Sequence, residues 1–215
     1  TFDIFLHGGT LLALLVYFRG ALGALGRAIL FPAARRGRWG HLLLPLLAGT
    51  LPILVLGLLF IVLDIGRFRT PQISAFNLAL FGILLWVADR VGTKKSSIWS
   101  LSATQGFLIG VAQALALMPG VSRSGVTITA ALLLGLSRPE AARFSFLLGI
   151  PAITIATGGN LLELLASGTG LTSFWNIEYL LGILAAFVVG LLSIRFLLRL
   201  LETRTVTGFV AYRLL

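Results

Sequence analysis

Apolar runs broken by short polar gaps organise this chain from one end to the other. The first run extends from Phe2 to Phe18 and gives way to a basic stretch with Arg19, Arg27, Arg35, Arg36 and Arg38. A second covers His41 to Leu63 and is followed by a gap holding Asp64, Arg67, Arg69 and Pro71. The third, Ile73 to Ala88, stops at Asp89, Arg90, Lys94 and Lys95. Two further runs, Leu101 to Met118 and Ser124 to Leu136, meet at the break Pro119-Gly120-Val121-Ser122-Arg123. Beyond Arg138 and Arg143 lie a run from Phe144 to Leu165 and a gap from Ala166 to Asn176, flanked by Glu163 and Glu178. A last full run, Ile177 to Leu198, ends near Arg199 and Arg204, and another helix starts near Val206. A helix needs about 20 mostly apolar residues to cross a bilayer. The pattern therefore predicts an all-α fold, a polytopic membrane helix bundle.

The charges in the gaps orient these spans, because cytoplasmic loops collect Lys and Arg. With the Arg19–Arg38 stretch inside, the Asp64–Pro71 gap falls outside and Asp89–Lys95 inside. The acidic-flanked Ala166–Asn176 gap is then outside, while Arg138–Arg143 and Arg199–Arg204 are inside. Leu101 to Leu136 must consequently enter and leave on one face. Its second limb, about 13 residues, rises only ~20 Å, short of the ~30 Å hydrocarbon core. It reads as a re-entrant helical hairpin, residues 101–136, with Ser122-Arg123-Ser124 at the tip.

A weak internal echo adds a second expectation. Arg143-Phe144-Ser145-Phe146-Leu147-Leu148-Gly149 resembles Thr1-Phe2-Asp3-Ile4-Phe5-Leu6-His7 in pattern, and the topology runs the two in opposite directions. Inverted repeats of this kind place their site near the midplane, where the halves meet. The chain is thus expected to form one transmembrane domain, with residues 101–215 as one repeat and residues 1–100 as the remainder of the other. A partner hairpin of roughly forty residues is expected ahead of Thr1 on the same logic.

Composition agrees with the membrane reading. Charged residues make up 11% and hydrophobic ones 58%, with mean hydropathy +1.02, whereas soluble domains carry roughly 25% charged residues. The absence of cysteine excludes disulfides and thiolate metal sites. The net charge of +10 does not point to nucleic acid, since the arginines sit in gaps rather than in a stripe. They set orientation and attract anionic membrane lipids. Trp39, Trp86, Trp99 and Trp175 read as interfacial anchors.

The chemistry concentrates at the hairpin. An arginine at membrane depth is costly and normally paired, yet no acidic residue lies within twenty positions before Arg123 or sixteen after it. Its partner is either a carboxylate from elsewhere or an anionic ligand. The surroundings suit a phosphate. Pro119 and Gly120 end one helix, and Ser124 is placed to cap the next. The N–H groups and dipole of that helix point at the tip. Ser122 and Thr127 add hydroxyls, and Gly125 permits close backbone approach. Helix N-terminus, hydroxyls and guanidinium together form a phosphate site. Serine and threonine in membrane helices also serve as structural hydrogen-bonding groups, and Gln113 fits interhelical bonding as well as ligand contact. His7, with Asp3 one turn before it, forms a candidate Asp–His pair. No nucleophile elbow, P-loop or zinc-binding helix signature occurs.

At this hairpin the chain resembles the undecaprenyl-diphosphate phosphatase family of the bacitracin-resistance type. The resemblance rests on Gln113 through Met118, Pro119-Gly120-Val121-Ser122-Arg123-Ser124-Gly125-Val126-Thr127-Ile128, Ser137-Arg138 and Phe144 to Leu148. It extends to Thr1-Phe2-Asp3 through His7, Gly9-Thr10 to Arg19, and Phe209 to Arg213. It implies an enzyme of the bacterial inner membrane that hydrolyses undecaprenyl diphosphate on the outer face and recycles the lipid carrier of cell-wall synthesis. Carried over by motif, Arg123 and Ser122 are the expected catalytic residues. Ser124, Thr127, Gly120, Gly125 and Gln113 are the expected substrate-binding ones. A divalent cation, Mg or Ca, is implied, with its carboxylate ligands on the family's first hairpin upstream of Thr1, and a homodimer is an expected assembly. A lipid-phosphate or anion transporter of the same inverted-repeat design is the competing expectation.

Overall fold

The computed structural model describes residues 2–62, 70–166 and 176–214, all helical apart from turns and one isolated bridge. In chain order the helices are α1 (Phe2–Tyr17), α2 (Arg19–Leu30), α3 (Arg38–Val62), α4 (Pro71–Val91), α5 (Ala103–Ala114), α6 (Arg123–Leu133), α7 (Arg138–Ala166), α8 (Ile177–Thr203) and α9 (Thr207–Leu214). Four are long and apolar enough to cross a bilayer: Arg38–Phe60, Pro71–Val91, Arg138–Leu162 and Ile177–Thr203. The Asp64–Arg69 part of one expected outer gap, and most of the Ala166–Asn176 gap with Trp175, lie outside the described residues.

Local chemistry explains several helix boundaries. Thr70 caps α4, its hydroxyl accepting the Ile73 N–H at 3.3 Å, with Pro71 at the first helical position. Ser102 and Gln105 form both halves of a capping box at the start of α5. Two boundaries differ from expectation. The basic stretch after Phe18 is not a loop, because Arg19–Leu30 forms α2, bent 77° from α1. Ala21, Leu25 and Ala28 recur at helical spacing and are buried, which gives this segment an inward face despite its arginines. Arg138 and Arg143 likewise belong to α7 rather than to a gap. Glu140 lies in its first turn and accepts from Arg143 at 2.7 Å, so the charges fit a helix end.

Close backbone contacts reveal the helix directions. A Cβ on Gly49 of α3 would lie 2.7 Å from the Gly106 carbonyl oxygen of α5, and Gly110 meets Gly49 just as closely. These two helices therefore run parallel. On the other side, Gly182 of α8 packs on the Phe2 ring, Gly9 faces Ile183 and Ala186, and Gly190 faces Ala13, so α1 and α8 are also parallel. The hairpin is set between α4, to which α6 runs parallel, and α7, to which it is antiparallel. Ser96 N–H donates to Gly135 O at 2.9 Å, which ties the end of α6 to the loop after α4. The directions of α3 against α5, α1 against α8, and α6 against α4 and α7 agree with the loop-charge topology.

The main core gathers Leu132, Phe144, Leu148, Ile109 and Leu85 around this hairpin. At the basic end, Trp39 and Trp99 stack edge to face at 4.8 Å, with Arg38 over Trp99 and Arg90 over Trp86. Trp86 and Trp99 thus each sit beneath a guanidinium.

Candidate active site

Neither limb of the hairpin can span a bilayer: α5 is about 18 Å long and α6 about 16 Å. The first limb ends in a single 3-10 turn, Leu115–Leu117, and the chain then extends through Met118 and Pro119. Gly120 adopts φ +82° with its α-carbon pressed against the Ser74 carbonyl of α4. No residue with a Cβ fits there, on grounds of both conformation and space. Asn77 of α4, almost fully buried, donates its amide to the Pro119 carbonyl at 2.8 Å. Phe81, Val121 and Val126 pack beneath this contact. The tip is therefore held in place by α4, a role for Asn77 that its position as a lone amide in an apolar run only hinted at.

Helix α6 then starts, capped by Ser122 and not by Ser124 as the sequence suggested. The Ser122 hydroxyl accepts the Gly125 N–H at 3.2 Å, and the Ser122 carbonyl accepts from Val126. The cap falls one turn before the first continuous apolar stretch because Arg123 and Ser124 themselves adopt helical backbone. The N–H groups of Arg123 and Ser124 carry no hydrogen bond among the described residues, so two donors and the positive end of the helix dipole face the tip. The Ser122 and Ser124 hydroxyls stand 3.5 Å apart, too far for a strong bond. Both remain able to donate to a ligand.

Arg123 folds across α7. Its Nη1 donates to the Gly149 carbonyl at 3.2 Å, and a Cβ on Gly149 would lie 3.6 Å from its guanidinium carbon. No carboxylate contacts it among the described residues. A guanidinium has five N–H donors, so most of this one's capacity is unused by the protein.

Thr127 lies one turn further on and is wholly buried. Its hydroxyl lies 2.9 Å from the Arg123 carbonyl, 3.1 Å from that of Ser124 and 2.6 Å from the Ser145 hydroxyl of α7. Carbonyls only accept, so Thr127 directs its one proton to α6 backbone and Ser145 donates to Thr127. Its hydroxyl is occupied in joining α6 to α7. Gly125 supplies a carbonyl acceptor for Thr129 at 2.8 Å. Gln113, completely buried on α5, has no hydrogen-bond partner on either amide atom among the described residues. Ser124 opens onto a small apolar cleft formed with Leu85, Ile128, Leu197, Leu201, Val206 and Phe209.

The structure brings Ser122, Arg123, Ser124, Gly125 and Thr127 together and adds Ser145, Gly149 and Asn77. It does not join Asp3 and His7 through the carboxylate. His7 Nδ1 meets the Asp3 backbone carbonyl at 2.7 Å, and both residues are exposed. No group of three or more His, Asp or Glu is placed to hold a metal among the described residues. The hairpin donors are cationic and hydroxylic and do not fit a divalent cation.

A polytopic helix bundle with a short helical hairpin, whose tip offers a helix N-terminus and a guanidinium without a carboxylate among the described residues, defines a multi-pass membrane protein. A family model described as "Bacitracin resistance protein BacA" matches residues 1–215, and the chain belongs to that family. It is 40% identical over 220 residues to an "Undecaprenyl-diphosphatase" of Moorella thermoacetica, covering 100% of this chain and 79% of the relative. A protein of the same description from Teredinibacter turnerae is 40% identical over 216 residues, covering 100% of this chain and 81% of the relative. An "Undecaprenyl-diphosphatase 2" of Stutzerimonas stutzeri is 42% identical over 219 residues, covering 100% of this chain and 80% of the relative.

Proposed function

We infer that this protein hydrolyses undecaprenyl diphosphate to undecaprenyl phosphate and inorganic phosphate. The single observation that carries the inference is Arg123: half-buried at a helix N-terminus, answered by one carbonyl and by no carboxylate among the described residues. The names of the relatives above supply the substrate class.

In this reading the diphosphate lies at the start of α6. The N–H groups of Arg123 and Ser124, the Ser122 and Ser124 hydroxyls and the free guanidinium donors bind its oxygens. Water attacks the terminal phosphorus, and the bond from that phosphorus to the bridging oxygen breaks. The bridging oxygen leaves with the lipid monophosphate. Charge builds on the transferred group and the leaving oxygen, and donors fixed in a water-poor site stabilise it without reorganising. Gly149 and Thr127 hold Arg123 and the first turn of α6 in place. Ser122 is assigned to capping and binding. It has no hydrogen bond to a histidine or carboxylate among the described residues, so attack on phosphorus is not assigned to it.

The divalent cation that the resemblance implies finds no holder among these residues, and no step is derived through it. We place the enzyme in the bacterial inner membrane with the site facing outward. Helix α6 finishes beside Arg90, Lys94 and Lys95, an end that the positive-inside rule makes cytoplasmic. Its N-terminus points away from that end. The apolar cleft at Ser124 gives the first part of the prenyl chain a route towards lipid. No observation favours a carrier over a hydrolase.

The test is phosphate release from undecaprenyl diphosphate by the purified chain in detergent, with and without EDTA. Release is expected, and the EDTA arm measures whether a divalent cation, for which the described residues offer no holder, takes part. Tight binding of the lipid with no release under any divalent cation would replace the hydrolase reading by a carrier.

A further inference from the structure

On its outward face, beside the residues that line the cleft at Ser124, α8 carries a pair of arginines that the reaction does not use. Only Ile194, Leu198 and Leu201 are buried along this helix, making it the least covered span of the bundle. Leu192, Arg195, Phe196 and Arg199 recur at i, i+3, i+4 and i+7 and so form one stripe. That stripe lies opposite the glycines that pack on α1. Leu192 is 61% and Phe196 65% exposed, and both arginines are exposed. With Leu200 these residues line a shallow, open recess, its floor apolar and its rim cationic.

Among the described residues neither guanidinium has a hydrogen bond or an ion pair. Glu202, exposed one turn beyond Arg199, pairs with neither, and Arg204 adds a further positive charge at the helix end. Arg19, Arg27 and Arg36 are also unpaired among the described residues, whereas Arg138 pairs with Asp89, Arg143 with Glu140, and Arg38 and Arg90 lie over indoles; Arg195 and Arg199 differ in flanking one apolar recess.

Depth decides what can answer these charges. Helix α8 is about 40 Å long, which matches a bilayer including its headgroup layers at ~40–45 Å. Arg199 then lies about 6 Å, and Arg195 about 12 Å, from the Thr203 end along the axis. The first is level with the lipid phosphates and the second just beneath them, within reach of the same layer by snorkelling. Among the described residues no helix covers the face, and at that depth the anions within reach are lipid phosphates.

We propose that this stripe is a binding site for an anionic bilayer phospholipid of the cytoplasmic leaflet. The phosphate is held between Arg195 and Arg199, and an acyl chain lies along Leu192, Phe196 and Val189. The apolar floor selects an amphiphile over free phosphate, and two unpaired cations select a lipid with net negative charge over a zwitterionic one. The site does not depend on the assignment of the hairpin.

Native mass spectrometry of the purified protein with phosphatidylglycerol, phosphatidylcholine or inorganic phosphate tests this. Phosphatidylglycerol should bind more tightly than phosphatidylcholine and raise the thermal midpoint of the unaltered protein. The double variant Arg195→Gln/Arg199→Gln should bind phosphatidylglycerol on the order of tenfold more weakly. Arg195→Lys/Arg199→Lys should retain most of the binding. Equal binding of both lipids to the unaltered protein overturns the proposal, a result that needs no variant to fold. Undiminished phosphatidylglycerol binding by the glutamine variant overturns it too, as does reproduction of the thermal shift by inorganic phosphate alone.

Discussion

Arg123 and Arg138 stand at opposite ends of the second limb of the hairpin, and the protein treats them in opposite ways. Arg138 grips the nearly inaccessible Asp89 with two hydrogen bonds, Nε to Oδ1 at 2.5 Å and Nη2 to Oδ2 at 3.2 Å. That fork locks the start of α7 to the end of α4. Arg123 receives one carbonyl at 3.2 Å and no counter-charge. A charge with its partner built in is part of the scaffold. One left without a partner, with helix N–H groups and hydroxyls facing the same space, has donors free for an anion, which is the role proposed above for Arg123. The difference separates architecture from chemistry more sharply than burial does, because both arginines are substantially enclosed.

This contrast sets the expected effects. Arg123→Ala should lower phosphate release a hundred- to a thousandfold, the loss typical of removing a donor to transition-state charge, while circular dichroism stays unchanged. Near-normal turnover would make Arg123 as structural as Arg138. Arg138→Ala should do the reverse. It leaves Asp89 buried and unpaired at a cost of about 3 kcal/mol, seen as earlier unfolding in a denaturant titration, with turnover per folded molecule retained. The double change Asp89→Leu/Arg138→Met should recover most of that stability, and failure to recover would show that the fork does more than neutralise Asp89.

Smaller effects are expected between the two. Thr127→Val deprives Ser145 of its acceptor and frees α6 from α7, costing about 1–2 kcal/mol and slowing release as Arg123 loosens. Thr127→Ser should restore both quantities. A serine variant with normal stability and still-slow release would show that the methyl group, not the hydroxyl link, positions the turn. Ser122→Ala removes the helix cap for about 1 kcal/mol, and Ser122→Gly for only a few tenths. Comparing release by these two variants separates capping from ligand binding: equal slowing would identify the hydroxyl's contact with substrate.

Much of this was legible from residue order. Apolar runs of bilayer length can only be helices, because lipid offers no partner to an unpaired backbone group. Limbs too short to cross, joined at Pro119-Gly120, had to turn back. An arginine at that turn with no acid nearby in the chain marks Arg123 as a charge to be answered from elsewhere, and no carboxylate among the described residues answers it. The arginines of α2 mask a segment whose Ala and Leu spacing is helical, so its inward face shows only in the packing. Residue order does not distinguish Ser122 from Ser124 as a cap, and the backbone conformation at Ser122 decides between them.

Tertiary structure alone decided which polar groups face one another. Ser145, Gly149 and Asn77 reach the site from helices 18 or more positions away in the chain, and no local propensity encodes a meeting of that kind. It also withdrew Thr127 from the surface of the pocket by giving its hydroxyl to Ser145, and it separated the Asp3 carboxylate from His7. Sequence order determines hydrophobic length, break points and the sign of each loop, since these depend on neighbours along the chain. Which charges are answered depends on neighbours across it, and only packing sets those.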